Sequence, residues 1–405
     1  MDASWIIFLF AIGACVGSFL NVVIYRMPRG ESIVAPGSHC PACGKAIRWY
    51  DNIPLISWLA LRAKCRFCKA KISPRYIIIE LITACLVAGL YVCYYVLRLR
   101  SGAGLFEDSW PMFAAHAALL CGLLACSAVD VEHWIVPLEV CWVLSLAGAI
   151  SAAASPHPWM PALAPATGAA ALGACVGLVI SILLQHYGVL KPSFMDAQDK
   201  PILKDKPPEN DAPGRPAGKP RKEPISVAIT KAHGVNPRLE VLREALFLAP
   251  ALVLAAVAYF LATEVASARH GWDWLTDASS RGAMGGALAG HLNGLLAAIF
   301  GYLIGGLLVW GTRIFGTLAF GKEAMGLGDV HLMAAVGAVA GWCVPTLAFF
   351  IAPFFGLLWA LYLWLRRNQR ELPYGPWLAA GTLTAMLLFD KFQWLFRTYA
   401  ELAGR

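Results

Sequence analysis

The sequence predicts an all-α polytopic membrane protein, a bundle of about ten transmembrane helices with a small cytoplasmic zinc-binding loop domain. Three observations lead there. Only 14% of the 405 residues are charged and 59% are hydrophobic, whereas a soluble domain is about a quarter charged. The apolar residues fall in long runs and the mean hydropathy is +0.61, which separates the chain from disordered and collagen-like sequences. Two CxxC pairs share one basic loop between the first two apolar runs. The formal charge of +8 needs no nucleic acid, because basic excess in a membrane chain reports topology and attraction to anionic lipid.

A helix needs about 20 apolar residues to cross the hydrocarbon core. Runs of this kind occupy 4–25, 76–97, 111–129, 137–154, 164–187, 244–263, 286–310, 330–344, 346–365 and 376–396. The first starts with Asp2 rather than a basic segment and continues past Gly17 to Tyr25 without a cleavage site, so residues 1–25 are expected to be a retained helix. Residues 26–75 are rich in Lys and Arg, from Arg26 and Arg29 to Lys71 and Arg75, against Glu31 and Asp51. The positive-inside rule therefore places this loop in the cytoplasm and the N-terminus outside. Alternation then puts 130–136, 188–243, 311–329 and 366–375 inside, and these segments hold most of the 33 Lys and Arg. The two short runs after Gly328 fit a re-entrant or tilted arrangement as well as a full crossing.

Residues 191–240 differ from their surroundings. Proline and charge dominate, as in Pro207-Pro208 and Lys219-Pro220-Arg221-Lys222-Glu223-Pro224. Too little apolar surface is present to offset the entropy of ordering, so a flexible linker is expected.

The twelve cysteines divide in two. Cys15, Cys85, Cys93, Cys121, Cys126, Cys141, Cys175 and Cys343 lie in or beside apolar runs, where thiols act as small hydrophobes. Cys40-Pro41-Ala42-Cys43 and Cys65-Arg66-Phe67-Cys68 instead form two knuckles inside the loop. Four thiolates at that spacing converge tetrahedrally, as zinc prefers. Disulfides are the alternative, disfavoured on the reducing side of a membrane. Four protein ligands leave no position for water, so the metal is expected to be structural, stapling a loop whose apolar residues are chiefly Ile53, Leu55, Ile56, Trp58 and Leu59. Lys64, Arg66 and Lys69 would favour thiolates, and are equally explained by the positive-inside bias of the loop.

Carboxylates at membrane depth cost about 2.5–3.5 kcal/mol at a helix centre and are functional candidates. Asp130 ends the third run, and Asp329 follows the seventh in Gly326-Leu327-Gly328-Asp329. The charge count puts both at the cytoplasmic boundary, at one depth. Two carboxylates a few ångströms apart share a proton, the arrangement of an aspartic peptidase. Gly326 and Gly328 leave room for a substrate backbone. The plain readings are an N-cap role for Asp329 at a helix starting at Val330, a hydrated interfacial Asp130 beside Glu132 and His133, a structural His331, and a Glu80 that pairs with Arg75 or stays near the interface. Transport or proton relay through Asp130 and Asp329, or a non-catalytic assembly factor, are the alternative functions; the first leaves the cysteine loop and the Gly-Leu-Gly-Asp segment unexplained.

Several ordered segments together resemble the bacterial type IV prepilin peptidases, or leader peptidase/N-methyltransferases. They are Gly17-Ser18-Phe19-Leu20-Asn21 through Arg26-Met27-Pro28, the two CxxC pairs, Asn52-Ile53-Pro54-Leu55-Ile56-Ser57-Trp58-Leu59, and Ile72-Ser73-Pro74-Arg75-Tyr76. The set continues with Asp130 seven residues before Pro137, Gly321-Lys322-Glu323-Ala324-Met325-Gly326-Leu327-Gly328-Asp329, and Pro373-Tyr374-Gly375-Pro376. The resemblance covers about 1–155 and 285–395. It implies a GxGD intramembrane aspartyl peptidase of the inner membrane that cuts type IV prepilins or type II secretion pseudopilins after a glycine, with Asp130 and Asp329 matching the catalytic pair. It also implies methylation of the new N-terminus with S-adenosylmethionine, an activity linked to the zinc loop and first helix; no glycine-rich cofactor loop is visible. Two departures stand out locally: Pro137-Leu138 where the family often has Pro-Asp, and Glu132 as the acidic residue after the first aspartate. The resulting division is 26–75 as the zinc loop, 76–155 with the first aspartate, 156–284 as an unmatched insertion with two extra spans, 285–396 as the core with the second aspartate, and 397–405 as a tail.

Overall fold

A computed structural model describes residues 2–155, 159–193, 237–268, 283–321, 323–365 and 373–403. The expected linker at 191–240 lies almost wholly outside the described residues. Among the described residues there is no strand, only two isolated antiparallel bridges, His39 with Ala46 and Lys64 with Lys71. The chain divides into two compact units, Met1–Ser151 with Leu347–Arg405, and Ala152–Thr346.

The first unit begins with α1 (Asp2–Arg26), the short α2 (Ile56–Ala60), α3 (Arg75–Tyr91), α4 (Phe106–His133) and α5 (Leu138–Ala154). After the second unit it resumes in α10 (Cys343–Leu365), α11 (Gly375–Leu387) and α12 (Phe389–Ala403). In a bilayer, hydrophobicity cannot drive helix against helix, so small residues that admit close backbone approach decide the pairing. Gly13 and Gly17 serve this purpose on α1: a Cβ at Gly13 would meet Ala84 Cα at 2.8 Å, and one at Gly17 would meet Glu80 Cα at 2.7 Å, both on α3. The side-chain amide of Asn21, one turn further on, donates to the Tyr76 carbonyl at 3.0 Å and fixes the register of the pair.

The second unit contains α6 (Pro165–His186), α7 (Pro237–Ala268), α8 (Ala283–Phe320) and α9 (Leu327–Ala340). The same device recurs twice. Cβ atoms at Gly173 and Gly177 would lie 2.4 Å from the Leu254 carbonyl and the Ala251 Cα of α7. Gly301 and Gly305 do likewise toward Gly337 and Met333 of α9. This backbone contact is what lets α9 sit almost entirely buried.

Among the described residues, seven helices are long and apolar enough to cross a membrane, the runs containing α1, α3, α4, α6, α7, α8 and α10. The other three of the ten apolar runs form shorter helices. Leu138–Ala154 and Leu327–Ala340 are shorter apolar helices, of 17 and 14 residues. The run 376–396 is no single span: it breaks at Leu388 into α11 and α12. Asp390, Lys391 and Gln393 follow the break while Trp394, Phe396 and Tyr399 remain exposed, a mixed composition unsuited to the hydrocarbon core.

Candidate functional site

The two cysteine knuckles fold alike. In the first, Gly44 N–H donates to Cys40 O at 2.8 Å and Cys40 N–H to Lys45 O at 3.0 Å; in the second, Lys69 N–H donates to Cys65 O at 3.1 Å and Cys65 N–H to Ala70 O at 2.8 Å. The residue after each second cysteine is left-handed, Gly44 at φ 67° and Lys69 at φ 60°. Lys45 lies over the Phe67 ring at 4.9 Å and ties one knuckle to the other. The sulfurs of Cys40, Cys43, Cys65 and Cys68 all lie within 4.8 Å of one another, with Cys40 Sγ and Cys68 Sγ 3.8 Å apart. A tetrahedron with Zn–S bonds of about 2.3 Å has edges of about 3.8 Å, so the cluster could hold a zinc ion.

The electrostatics agree with a cation site. The N–H groups of Cys68 and Phe67 pull the Cys65 thiol down to about 6. Cys68 goes the other way, to about 11: the Ala70 N–H lowers it, but desolvation and the neighbouring sulfurs outweigh that. Four thiols this close cannot all ionise without a positive charge among them. Ile53, Ile56 and Leu59 are exposed, so the loop has little core of its own. Arg66 forms a two-pronged pair with Asp51 at 2.6 and 2.7 Å and holds the Asp51 carboxyl below its usual range.

Asp130 sits three residues before the end of α4 and is buried. Its Oδ2 accepts the Gly375 N–H at 2.9 Å. Gly375 is the first residue of α11, where a helix has N–H groups without partners of its own; it gives one to the carboxylate. A Cβ at Gly375 would stand 2.7 Å from that oxygen, so any larger residue must push the carboxylate aside. The Pro373–Pro376 motif thus acquires a physical role that spacing alone did not disclose. Beside it, Arg75 grips both oxygens of Glu132 at 2.6 and 2.7 Å. That corrects the expected Arg75–Glu80 pair: Glu80 is buried and accepts the Leu55 N–H at 2.8 Å, joining α3 to the loop.

Asp329 is buried in the first turn of α9. It is not an N-cap, because the helix starts at Leu327 with Gly326 as the cap residue; Gly326 lies against the Asp329 carboxylate with its Cβ position 3.6 Å from Oδ2. The turn leading to it is held by side chains of α8. Arg313 donates to the Met325 carbonyl at 3.1 Å and pairs with Glu323 at 2.8 Å, and Thr317 Oγ1 accepts the Ala324 N–H at 3.3 Å. Arg313 Nε in turn donates to Glu244 Oε1 of α7 at 2.8 Å. Burial pushes the Glu323 carboxyl up, against the pull of Arg313. Sequence reasoning passed over Glu244 and Arg313, although a charge in an apolar run is itself a signal. Asp130 belongs to the first unit and Asp329 to the second.

Residues 11–94 match the model of the bacterial peptidase A24 N-terminal domain. The chain is 40% identical over 200 residues to a prepilin leader peptidase/N-methyltransferase of Myxococcus xanthus, covering 49% of this chain and 53% of that one. It is 40% identical over 149 residues to the protein of the same name from Stutzerimonas stutzeri, covering 31% and 47%. It is also 38% identical over 143 residues to a type 4 prepilin-like proteins leader peptide-processing enzyme of Escherichia coli, covering 31% and 48%. The chain thus spans about half the length of these relatives. No solved structure matches.

Proposed function

We propose, from its similarity to prepilin leader peptidases, that the protein belongs to the type IV prepilin peptidase family and is an intramembrane aspartyl endopeptidase. It removes the leader from type IV prepilins or type II secretion pseudopilins. What carries the reading is a pair of buried aspartates, each at the end of an apolar helix and each beside a glycine: Asp130 with Gly375, and Asp329 with Gly326. Asp130 and Asp329 form the dyad. One carboxylate takes a proton from water as its oxygen bonds to the scissile carbonyl carbon, and the other, protonated, donates toward the developing oxyanion. As the intermediate collapses, the C–N bond breaks and the leaving nitrogen takes a proton from the dyad. Gly375, occupying Oδ2 of Asp130, leaves Oδ1 to face the water.

Cys40, Cys43, Cys65 and Cys68 hold a structural zinc, and the protein also N-methylates the new N-terminus with S-adenosylmethionine, as the names of its relatives imply. It lies in the bacterial inner membrane with the N-terminus outside and the dyad at the cytoplasmic face, where the basic loop contacts anionic lipid headgroups. The test is cleavage of a prepilin-like peptide by purified protein in detergent. Asp130→Asn and Asp329→Asn should each abolish turnover without loss of folded protein; full activity in either variant removes that residue from the dyad.

A further inference from the structure

Glu244 and Arg313 are both almost wholly buried, with side chains 4% exposed. A buried pair of this kind is often no more stabilising than apolar residues in its place, so its retention asks for another reason. Its contacts supply one. The Glu244 carboxylate is fully engaged: Oε1 accepts from Arg313 Nε at 2.8 Å and from Ser193 Oγ at 3.1 Å, and Oε2 accepts from Trp310 Nε1 at 3.2 Å. Held in that way, the rigid guanidinium fork has one orientation, and its other arm reaches Met325 O and Glu323 Oε1. Met325 immediately precedes Gly326, the cap of the helix that presents Asp329. Glu244 lies on α7, in the 156–284 stretch that the family resemblance leaves unmatched.

We infer that the Glu244–Arg313 pair is a positioning device for the Glu323–Gly328 turn, through which a helix of the inserted segment sets the placement of Asp329. The inference rests on the peptidase reading for its effect on rate, but not for its effect on the turn. Lysine would not reproduce it, since a single ammonium cannot grip Glu244 and the turn at once with a fixed geometry.

Two readouts separate the claims: amide hydrogen exchange of the peptide covering 323–328 in the full-length protein, and kcat and KM on a prepilin-like peptide. Glu244→Met should speed exchange at 323–328 and lower kcat by about 10- to 100-fold, the cost of a misplacement near 1 Å, with KM within about twofold. Glu244→Gln, which retains an acceptor for Arg313, should recover most of the rate. Because Glu244→Met strands a buried guanidinium, the Glu244→Met/Arg313→Met double variant is measured beside it. That variant removes both charges of the pair but also the arginine partner of Glu323, so a cooperative melt is required of it, while its turn should still exchange fast and its kcat stay low. Wild-type exchange and kcat in the double variant would overturn the inference. If the wild type itself cleaves nothing, the peptidase reading fails, and exchange alone decides the positioning claim.

Discussion

Replacing Gly375 by alanine adds one methyl group directly against the Asp130 carboxylate. The new Cβ would lie 2.7 Å from Asp130 Oδ2 and 3.4 Å from Asp130 Cγ. Ordinary carbon–oxygen contact is near 3.4 Å, so the carboxylate must retreat by about 0.7 Å or rotate away. Either movement breaks the 2.9 Å bond from the Gly375 N–H, a charge-assisted contact worth about 1.5–3 kcal/mol. A catalytic group displaced by that distance typically loses about 100-fold in rate. Gly375→Ala is therefore expected to lower kcat about 10- to 100-fold. Stability should hardly change, because alanine improves helix propensity by up to about 1 kcal/mol at the start of α11 while the lost contact opposes it. Gly356→Ala is the control: its Cβ would meet only Trp377, at an ordinary 3.6 Å, so both rate and melting temperature should be unchanged. The assay is mass-spectrometric peptide cleavage in detergent alongside thermal melting of each variant. A Gly375→Ala enzyme as fast as the control would refute the placement of Asp130 in the reacting centre.

The cysteine cluster predicts one zinc per chain, released stoichiometrically when the four thiols are titrated with a mercurial, with Cys43→Ser weakening retention and exposing the 26–75 loop to proteolysis; protein that contains no metal after purification without chelators would contradict this. Gly337 faces the Gly301 carbonyl with only 1.9 Å available to a Cβ, and both neighbours are backbone, so Gly337→Ala must part α8 from α9. It should cost at least about 1–3 kcal/mol, visible as a clear fall in melting temperature; an unshifted melt would mean the two helices are not in backbone contact.

Local patterns made much of this protein legible before any fold was known. Apolar runs long enough for a bilayer mark themselves, because one helix must satisfy its own backbone in lipid wherever it packs. The zinc knuckles are equally local: each CxxC closes its own turn, and the two need only meet. The stretch 376–396 misled because Asp390 and Lys391 were averaged into an apolar window, while the chain breaks just before them at Leu388. Glycines spaced four apart, such as Gly13 and Gly17, were visible but silent, since the same spacing is common in membrane helices and only the partner helix gives it meaning.

By itself the sequence determined the membrane class, the four cysteines able to share a metal, and the two aspartates singled out by their scarcity in a chain only 14% charged. Only the tertiary structure decided the partners: Glu132 rather than Glu80 for Arg75, Asp51 for Arg66, the Gly375 N–H for Asp130, and Glu244 for the arginine that holds the turn before Asp329. The reason is one of range. Helix formation and knuckle closure depend on neighbours a few residues apart, whereas a buried charge in a low-dielectric bundle must be matched by whichever donor or acceptor the packing brings to it, here from as far as 245 positions along the chain.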